Sequence, residues 1–486
     1  MKNKVQLIAY IDRFGKKGIA EFHAFLSDHL KDHFEGGIHL LPFYNTIDGA
    51  DAGYDPKDHT QVDPRLGDWE DIKKLSDEFD LMADLIVNHI SSDSREFQDV
   101  KMHGHNSQYF DLFLTKEKVF PKGASESLIK KIYRPRPNLP FTTIKVGQDE
   151  EYDFWTTFTS DQIDIDVLHQ KGSAYISQIL KTFSLNGIKS IRLDAAGYAI
   201  KKPETSCFMI PETYDFIGEF SSKARAMGID VLVEIHTHYK HQIEIASKVD
   251  YVYDFALPPL ILHTIAKKSG TQLKNWLEIS PRNCVTVLDT HDGIGIVDIA
   301  KQDDNPGLLS DEEVDYLVES IHKNSNNTSR IASGEGGSNL DIYQVNCSFY
   351  EALGKNSTHY LIARAIQFFC PGIPQVYYGG FLAAANDLKL LGTTKVGRDI
   401  NRPYLEFDEV LQMLESSVVK DLSKLIKFRN THPSFGGNFS VLPTSDDQIK
   451  LRWDLNDEWS ELNIDLLKSN FEINYSMQEV ESLLIF

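Results

Sequence analysis

The sequence predicts a (β/α)8 barrel with two inserted subdomains and a small C-terminal antiparallel β domain. Eight apolar segments of strand length occur along the 486 residues, and helical patterns separate most of them. Their apolar residues are consecutive rather than alternating with polar ones, which indicates strands buried on both faces and therefore parallel pairing. Two intervals between segments are too long for a loop and a helix. A period-two alternation begins near Pro433 and is typical of antiparallel strands.

The strands and helices alternate in the order that a barrel requires. The predicted strands are Val5–Tyr10, Gly37–Phe43, Leu81–Val87, Ser190–Leu193, Val231–Ile235, Tyr251–Phe255, Val285–Leu288 and Gln375–Tyr378. The predicted helices are Ile19–His29, Glu70–Phe79, Ala174–Phe183, Pro211–Ala226, His241–Lys248, Leu260–Lys268 and His359–Phe369. Eight such units are typical of a closed barrel. An open, doubly wound sheet is the alternative, and it is disfavoured because no G-x-G-x-x-G turn opens a helix.

The long intervals set the expected domain organisation. We expect a discontinuous barrel formed by residues 1–87, 168–293 and 357–433. One insertion, residues 88–167, follows the third strand, and another, residues 294–356, follows the seventh. Residues 434–486 form the C-terminal β domain, where Gln448–Trp453, Leu462–Leu466 and Phe471–Tyr475 alternate with period two.

The charge of the chain limits its partners. Fifty lysines and arginines against 71 aspartates and glutamates give a formal charge of −21. Nucleic acids and anionic membranes would be repelled, so we expect a neutral ligand or an anion that meets a local arginine cluster. The four cysteines form no C-x-x-C pair, and no apolar run reaches the roughly 18 residues of a membrane span. We therefore expect a cytoplasmic protein with reduced thiols.

Polar side chains follow several predicted strands at the edge where barrel active sites lie. Asn88 and His89 follow the third strand, and the other groups are Arg192, Asp194, Glu234, His236, Asp289, His291 and Asp292. A single aspartate at a strand end is commonly a helix cap. Three carboxylates with histidines and an arginine, spread over several strand ends, are much harder to explain as caps.

This set of residues suits the cleavage of a glycosidic bond. That reaction needs a protonated general acid and a second carboxylate that stays charged near an oxocarbenium-like transition state. Arg192 lies two residues before Asp194 and therefore on the same strand face, where its charge should keep Asp194 ionised. Glu234 is then the better acid/base candidate, and Asp292 could orient sugar hydroxyls.

Four short motifs, DLIVNH (84–89), IRLDAAGYA (191–199), LVEIH (232–236) and VLDTHDG (287–293), resemble the characteristic regions of the α-amylase superfamily, glycoside hydrolase family 13, in order. Longer stretches resemble a phosphorylase branch of that family. They are DGADAGYDPKDHTQVD (48–63), IYRPRPNLPF (132–141), VYDFALPPL (252–260), SNLDIYQVN (338–346), FCPGIPQVYY (369–378) and GRDINR (397–402). The resemblance runs from the first strand to the C-terminal domain.

The resemblance implies roles for individual residues. Asp194 would be the nucleophile, Glu234 the acid/base and Asp292 the stabiliser of the transition state. The residues implied in substrate binding are Asp51, Tyr54, His89, Phe158, Gln162, Arg192, Tyr198, His236, His291, Asp341, Gln344 and Arg398. Those implied in phosphate binding are Tyr133, Arg136 and Tyr343. Phosphate is a dianion that would pass three carboxylates, and Arg136 could bind it through two nitrogens. Without the resemblance, an extended loop with solvated arginines is the simpler interpretation of Tyr133–Pro137.

The activity implied by the resemblance is reversible phosphorolysis of sucrose to α-D-glucose 1-phosphate and D-fructose, with retention and through a β-glucosyl-enzyme. Hydrolysis and transfer to other acceptors would be side reactions. The alternatives are phosphorolysis of sucrose 6-phosphate, glucosylglycerol or glucosylglycerate, or hydrolysis of an α-glucoside. Asp341 in the acceptor loop disfavours an anionic acceptor. The resemblance implies no cofactor and no metal, and a monomer or homodimer.

Two departures and two rival interpretations remain. Tyr54 stands where Phe is expected in many relatives, and Thr290 stands where many amylases have Asn. His236-Thr237-His238 could ligate a metal in a barrel hydrolase. A non-catalytic binding protein on the same barrel is the other rival, but such proteins typically lack one of the carboxylates.

Overall fold

Eight parallel strands close into a barrel at the centre of the computed structural model, which describes residues 1–49, 51–134, 139–302, 304–334, 339–477 and 480–484. In chain order, barrel strands 1 to 8 are Gln6–Ala9, Gly37–Leu40, Leu81–Ile86, Ile188–Asp194, Asp230–Val233, Tyr251–Asp254, Cys284–Thr286 and Ile373–Tyr377. Each predicted strand is present, with bounds that differ by at most three residues. The predicted fold class is confirmed.

Closure of the barrel is visible at its first strand. Gln6 lies opposite Gly37 of barrel strand 2 and also opposite Gln375 of barrel strand 8, with parallel pairing on both sides. Strand 1 therefore has no free edge, and the open doubly wound sheet is excluded. The consecutive apolar residues of these strands are buried, as the sequence pattern required.

Helices surround the barrel and connect its strands. Those after strands 1 to 7 and before strand 8 include Ile19–Phe25, Trp69–Glu78, Gln170–Leu185, Pro211–Ala226, Tyr239–Ala246, Leu257–Lys267, Thr271–Ile279 and Ser357–Phe369. Pro211 occupies the first turn of its helix, where a missing N–H is harmless, and this helix has the predicted bounds. The sequence interpretation missed the second helix after strand 6, Thr271–Ile279. After strand 8 come Tyr378–Phe381, Leu388–Thr394, Phe407–Leu414 and Ser417–Thr431.

Additional elements lie in the two long intervals. After barrel strand 3 they are the helices Arg95–His103, Lys116–Val119 and Glu126–Lys131, the strand pair Phe141–Val146 and Glu150–Trp155, and the pair His89–Ser91 and Gln162–Asp164. After barrel strand 7 they are the pair Ile294–Gly295 and Gln344–Val345, and the helices Asp311–Asn324, Thr328–Ser333 and Phe349–Ala352. The domain bounds expected from the sequence stay a prediction.

The C-terminal sheet has five antiparallel strands in chain order: Asn438–Val441, Gln448–Leu455, Glu458–Asp465, Asn470–Met477 and Val480–Leu484. It packs on the barrel through Trp453, whose indole N–H donates to the carbonyl of Phe369 at 2.8 Å. The alternation seen in the sequence thus reflects a sheet with one face against the barrel helices. Across the described ranges, no helix combines the length and apolarity needed to cross a membrane.

Candidate active site

A cavity that is open to solvent lies at the C-terminal ends of the barrel strands and holds about 800 Å3 of empty space. The predicted site residues that line it are Asp51, Tyr54, His89, Phe158, Gln162, Arg192, Asp194, Tyr198, Glu234, His236, His291, Asp292, Tyr343, Gln344 and Arg398. Tyr133 does not line the cavity, but its ring stacks on Phe208 at 4.6 Å, and Phe208 does line it. Arg136 and the side chain of Asp341 lie outside the described residues.

Arg192 joins the two central carboxylates. Its Nη1 lies 2.7 Å from Asp194 Oδ1, and its Nη2 lies 3.8 Å from Glu234 Oε1. Asp194 and Glu234 lie at the same level of the barrel, because Arg192 on barrel strand 4 pairs with Leu232 on the neighbouring parallel strand 5. Asp84, from barrel strand 3, accepts a hydrogen bond from Arg192 Nη1 at 2.6 Å. The guanidinium is therefore fixed from behind while it faces the cavity.

Burial and the neighbouring Arg192 act on the pKa of Asp194 in opposite directions. Burial raises the pKa of Asp194 well above its ordinary value, Arg192 lowers it, and Glu234, Asp84 and Asp292 add to the increase. The expectation that Arg192 keeps Asp194 ionised stays a prediction: Arg192 lowers the pKa of Asp194, while burial and three neighbouring carboxylates raise it. Arg192 offsets only part of this effect. A sugar with developing positive charge would favour the ionised form further.

Asp292 is in the opposite electrostatic situation. Its Oδ1 lies 2.7 Å from Arg398 Nη1, and the same nitrogen lies 3.0 Å from Asp51 Oδ2. Burial acts to raise the pKa of Asp292, but Arg398, followed by His291, holds it far below its usual range. Asp292 is thus a permanent anion at neutral pH, which suits a group that stabilises positive charge.

Aromatic rings and amides form the wall beside these carboxylates. Tyr54 stacks on His291 with 4.7 Å between ring centroids and 10° between planes. Phe158 contacts His89 edge-on at 5.2 Å, and Gln162 Nε2 lies 3.0 Å from His89 Nε2. These groups offer apolar faces and hydrogen-bonding edges together, as a sugar ring requires.

The opposite side of the cavity is formed by residues from the interval after barrel strand 7. Gln344 contacts both Arg398 Nη2, at 3.2 Å, and His236 Nε2, at 3.2 Å. His236 Nδ1 lies 2.9 Å from Asp298 Oδ2, and the His236 ring stacks on Phe255 at 3.8 Å. The Gln344 amide therefore connects Arg398, which contacts Asp292 and Asp51, to His236, which lies beside Glu234.

Comparison with known proteins agrees with this geometry. Residues 27–305, more than half of the chain, match the family described as "Alpha amylase, catalytic domain". The chain belongs to the α-amylase family. It is 54% identical over 477 residues to sucrose phosphorylase of Agrobacterium vitis, covering 98% of both chains. It is 48% identical over 459 residues to sucrose phosphorylase of Bifidobacterium adolescentis, covering 93% of this chain and 90% of the relative.

A solved structure supports the same placement within the α-amylase family. The crystal structure of sucrose 6F-phosphate phosphorylase from Thermoanaerobacter thermosaccharolyticum superposes with a TM-score of 0.92 at 36% sequence identity. The superposition covers 100% of this chain and 98% of that one.

Asn88, the asparagine of the DLIVNH motif, has a side-chain oxygen that could bind a cation, and the ammonium group of Lys201 lies beside this oxygen. Lys201 Nζ lies 2.5 Å from Asn88 Oδ1 and 2.6 Å from Asp164 Oδ2, and the ammonium and carboxylate are buried. The ammonium supplies to these oxygens the positive charge that a metal ion would otherwise bring. This contact supports a structural role for Asn88.

The rival metal site receives little support from the geometry. Ligand atoms of Glu234, His236 and Asp292 lie within 4.8 Å of one another. However, the guanidinium groups of Arg192 and Arg398 already neutralise the two carboxylates. His238 Nε2 faces the carbonyl of Pro306 at 3.0 Å, so the H-x-H pair does not converge.

Sequence reasoning missed several residues of the site. Asp84 begins the DLIVNH motif, yet only the two residues at the end of that motif were selected. Arg402 lies in GRDINR, and its Nη2 contacts Asp51 Oδ1 at 3.3 Å. Phe208, Lys201 and Asp298 come from loops without a local signal. Of these residues, Arg402 could have been found from the sequence, because it lies four residues after Arg398, which was expected to bind the sugar.

Proposed function

We propose that the protein catalyses reversible phosphorolysis of sucrose, giving α-D-glucose 1-phosphate and D-fructose with retention of configuration. The convergence of Asp194, Glu234 and Asp292 in one cavity carries this proposal. The full-length similarity to sucrose phosphorylases supports sucrose as the donor. A non-catalytic binding protein would have no need for all three carboxylates.

The mechanism uses each carboxylate in a separate role. Glu234 protonates the fructosyl oxygen while Asp194 attacks the anomeric carbon, and fructose leaves. Phosphate then attacks the β-glucosyl-enzyme with Glu234 as the base, and the two inversions give net retention. Asp292, held ionised by Arg398, stabilises the positive charge that develops on the sugar. Asp51 and Arg398 bind the far hydroxyls of the glucosyl group, while Tyr54 and Phe158 flank its ring.

The acceptor side determines which donor is used. Sucrose is neutral, so fructose needs hydrogen bonds, and Gln344 and His236 are available in the cavity for them. Asp341 would repel a phosphorylated fructose, which disfavours sucrose 6-phosphate. Glucosylglycerol, glucosylglycerate and simple hydrolysis are the remaining alternatives, because all of them use the same glucosyl pocket.

Incubation of the protein with sucrose and phosphate tests the proposal. We expect glucose 1-phosphate and fructose in equal amounts, with free glucose as a minor product, resolved by chromatography. Sucrose 6-phosphate and glucosylglycerol in place of sucrose serve as matched donors and should react more slowly. Formation of glucose at the same rate with and without phosphate would contradict a phosphorylase.

Arg136→Ala is expected to weaken phosphate use much more than formation of the glucosyl-enzyme. An arginine that binds phosphate through two charge-assisted hydrogen bonds contributes roughly 1.5–3 kcal/mol, so the KM for phosphate should rise by about tenfold or more. The rate of fructose release in a single turnover measures the other half-reaction and should change little. Arg134→Ala is the matched control in the same loop. Equal losses in both half-reactions would refute the assigned role.

Location and assembly complete the proposal. The four cysteines are free and buried, which suits a reducing cytoplasm. A monomer or homodimer needing no cofactor, acting on small molecules and binding neither nucleic acid nor membrane, fits the charge of −21. We assign residues 1–87, 168–293 and 357–433 to the catalytic barrel, with 88–167, 294–356 and 434–486 as the accessory parts.

A further inference from the structure

His236 is held between two hydrogen-bonding partners at opposite edges of its ring. Nδ1 lies 2.9 Å from Asp298 Oδ2, and Nε2 lies 3.2 Å from the amide nitrogen of Gln344. The other oxygen of Asp298 accepts from Thr237 N at 3.2 Å and from Gln242 Nε2 at 2.8 Å. Asp298 is therefore fixed at the Nδ1 edge of the ring, while Gln344 lies at the Nε2 edge, on the cavity side.

The orientation of the Gln344 amide determines the protonation state of His236. Arg398 Nη2 donates to Gln344 Oε1 at 3.2 Å, and a guanidinium can only donate. The amide NH2 must then face His236 and donate to Nε2, which leaves the ring proton on Nδ1 towards Asp298. In this arrangement His236 is the neutral Nδ1–H tautomer.

A short two-stranded ribbon contains Gln344 and comes close to the contact between His236 and Asp298. Gly295 lies opposite Gln344 in the pair formed by Ile294–Gly295 and Gln344–Val345. A Cβ atom at Gly295 would lie 2.2 Å from Asp298 Oδ2 and 3.3 Å from His236 Nδ1. Glycine at this position therefore leaves the space in which the His236–Asp298 hydrogen bond forms.

The other groups around His236 favour its protonated form. Glu234 Oε1 lies 3.8 Å from Nε2, Asp292 lines the same cavity, and the Tyr343 ring lies 5.9 Å away. Two arginines line the same cavity: the Gln344 amide stands between Arg398 and the ring, and Arg192 Nη2 lies 3.8 Å from the same Glu234 oxygen. Burial acts to lower the pKa of His236, but Asp298, Glu234 and Asp292 raise it above its ordinary value. Among the described residues, the hydrogen bond donated by Gln344 is the direct contact that opposes a second ring proton, and it acts in the same direction as burial.

We infer that the Gln344 amide keeps His236 uncharged, and that withdrawal of this amide lets His236 take a proton on Nε2 and present a positive charge to phosphate. The inference rests on the proposed phosphorolysis. The new N–H bond takes its proton from solvent, and the proton returns to solvent when Gln344 docks again. Glu234 becomes a carboxylate once fructose has left, which favours the charged ring at the stage when a dianion must enter. His236 and Asp298 thereby act in the phosphate step.

Nitrogen NMR of histidine-labelled, unliganded protein tests the first half of the inference. The signals of His236 are assigned by their loss in His236→Gln. At pH 7 we expect the neutral Nδ1–H tautomer in the wild type, and a rise in the His236 pKa of at least about one unit in Gln344→Leu. Gln162→Leu, which removes a similar amide from His89 across the cavity, should leave the His236 titration unchanged. An imidazolium in the wild type at pH 7, or an unchanged pKa in Gln344→Leu, would overturn the inference.

Partition of the glucosyl-enzyme between phosphate and water tests the second half. Asp298→Asn should lower capture by phosphate at least about tenfold relative to capture by water, because the ring loses the group that favours its charge. The pH at which phosphate capture declines should also move to lower values. Equal losses with phosphate and water would indicate a merely structural role and overturn the inference. Absence of glucose 1-phosphate from the wild type would instead contradict the proposed function, and it would leave the NMR result unaffected.

Discussion

Asp194→Asn is expected to abolish glucosyl transfer, with a loss in kcat of at least about 10^4-fold, as removal of a covalent nucleophile does in other enzymes. The amide cannot form the glucosyl ester, and it replaces a carboxylate that contacts Arg192 at 2.7 Å. Because Asn has the same shape, the fold should be retained. Fructose release from sucrose measures the loss, and mass spectrometry of the trapped glucosyl-enzyme shows whether the intermediate still forms.

Glu234→Gln provides the matched control for this result. The acid is needed only when the leaving group must be protonated, so this variant should lose roughly 10^2- to 10^4-fold with sucrose. With α-glucosyl fluoride, whose leaving group needs no proton, it should recover most of its glucosylation rate. Asp194→Asn should recover nothing with either donor. Recovery of activity in Asp194→Asn with glucosyl fluoride would contradict the role of Asp194 as nucleophile. Equal losses with both donors in Glu234→Gln would contradict the role of Glu234 as acid.

The sequence predicted the barrel well because its signals are local. Apolar runs such as Leu81–Ile86 identify a strand buried on both faces, and the proline at 211 marks the start of a helix. The carboxylates were predictable for a related reason. Asp194 and Glu234 follow strand residues that pair directly, so their positions in the chain place them at the same edge of the barrel.

The parts that were not predictable depend on contacts between distant segments. Asp298 lies 62 residues from the histidine that it orients, and Lys201 lies 113 residues from Asn88. No periodicity or spacing reports such pairs. The groups that raise the pKa of Asp194 were missed because a sequence shows the neighbouring arginine but not the burial or the carboxylates around Asp194.

Arg192→Met is expected to destabilise the fold as well as the site. Asp84 is fully buried, and Arg192 Nη1 contacts it at 2.6 Å. Among the described residues, loss of the guanidinium would leave His39, whose Nε2 lies 3.0 Å away, as the hydrogen-bonding partner of the Asp84 carboxylate, and it would remove the cation that contacts Asp194 at 2.7 Å. Breaking a buried ion pair by removing one partner costs about 3–5 kcal/mol. Chemical unfolding at pH 7 should show a decrease of this size in the free energy of unfolding.

The pH dependence of this decrease separates lost charge from lost packing. Burial acts to raise the pKa of Asp84, but Arg192 and His39 lower it to about 2 in the folded protein. The unfolded value is about 3.9, so this ion pair stabilises the fold above about pH 4 and loses its effect as the pH falls towards 2. The difference between wild type and Arg192→Met should therefore be largest near neutral pH and smaller at pH 4, where Asp84 of the variant takes up a proton.

A surface pair gives the control for this argument. Arg225 contacts Asp250 at 2.6 Å, but its side chain is 51% exposed. Arg225→Met removes the same side chain and charge, yet should cost roughly 1 kcal/mol or less, because water replaces the lost partner. If Arg192→Met costs no more than Arg225→Met, or if its cost is the same at pH 4 and pH 7, then the buried charge of Asp84 does not depend on Arg192. In that case the Arg192 guanidinium would act on the carboxylates of the cavity, Asp194 and Glu234, and would not stabilise the fold through Asp84.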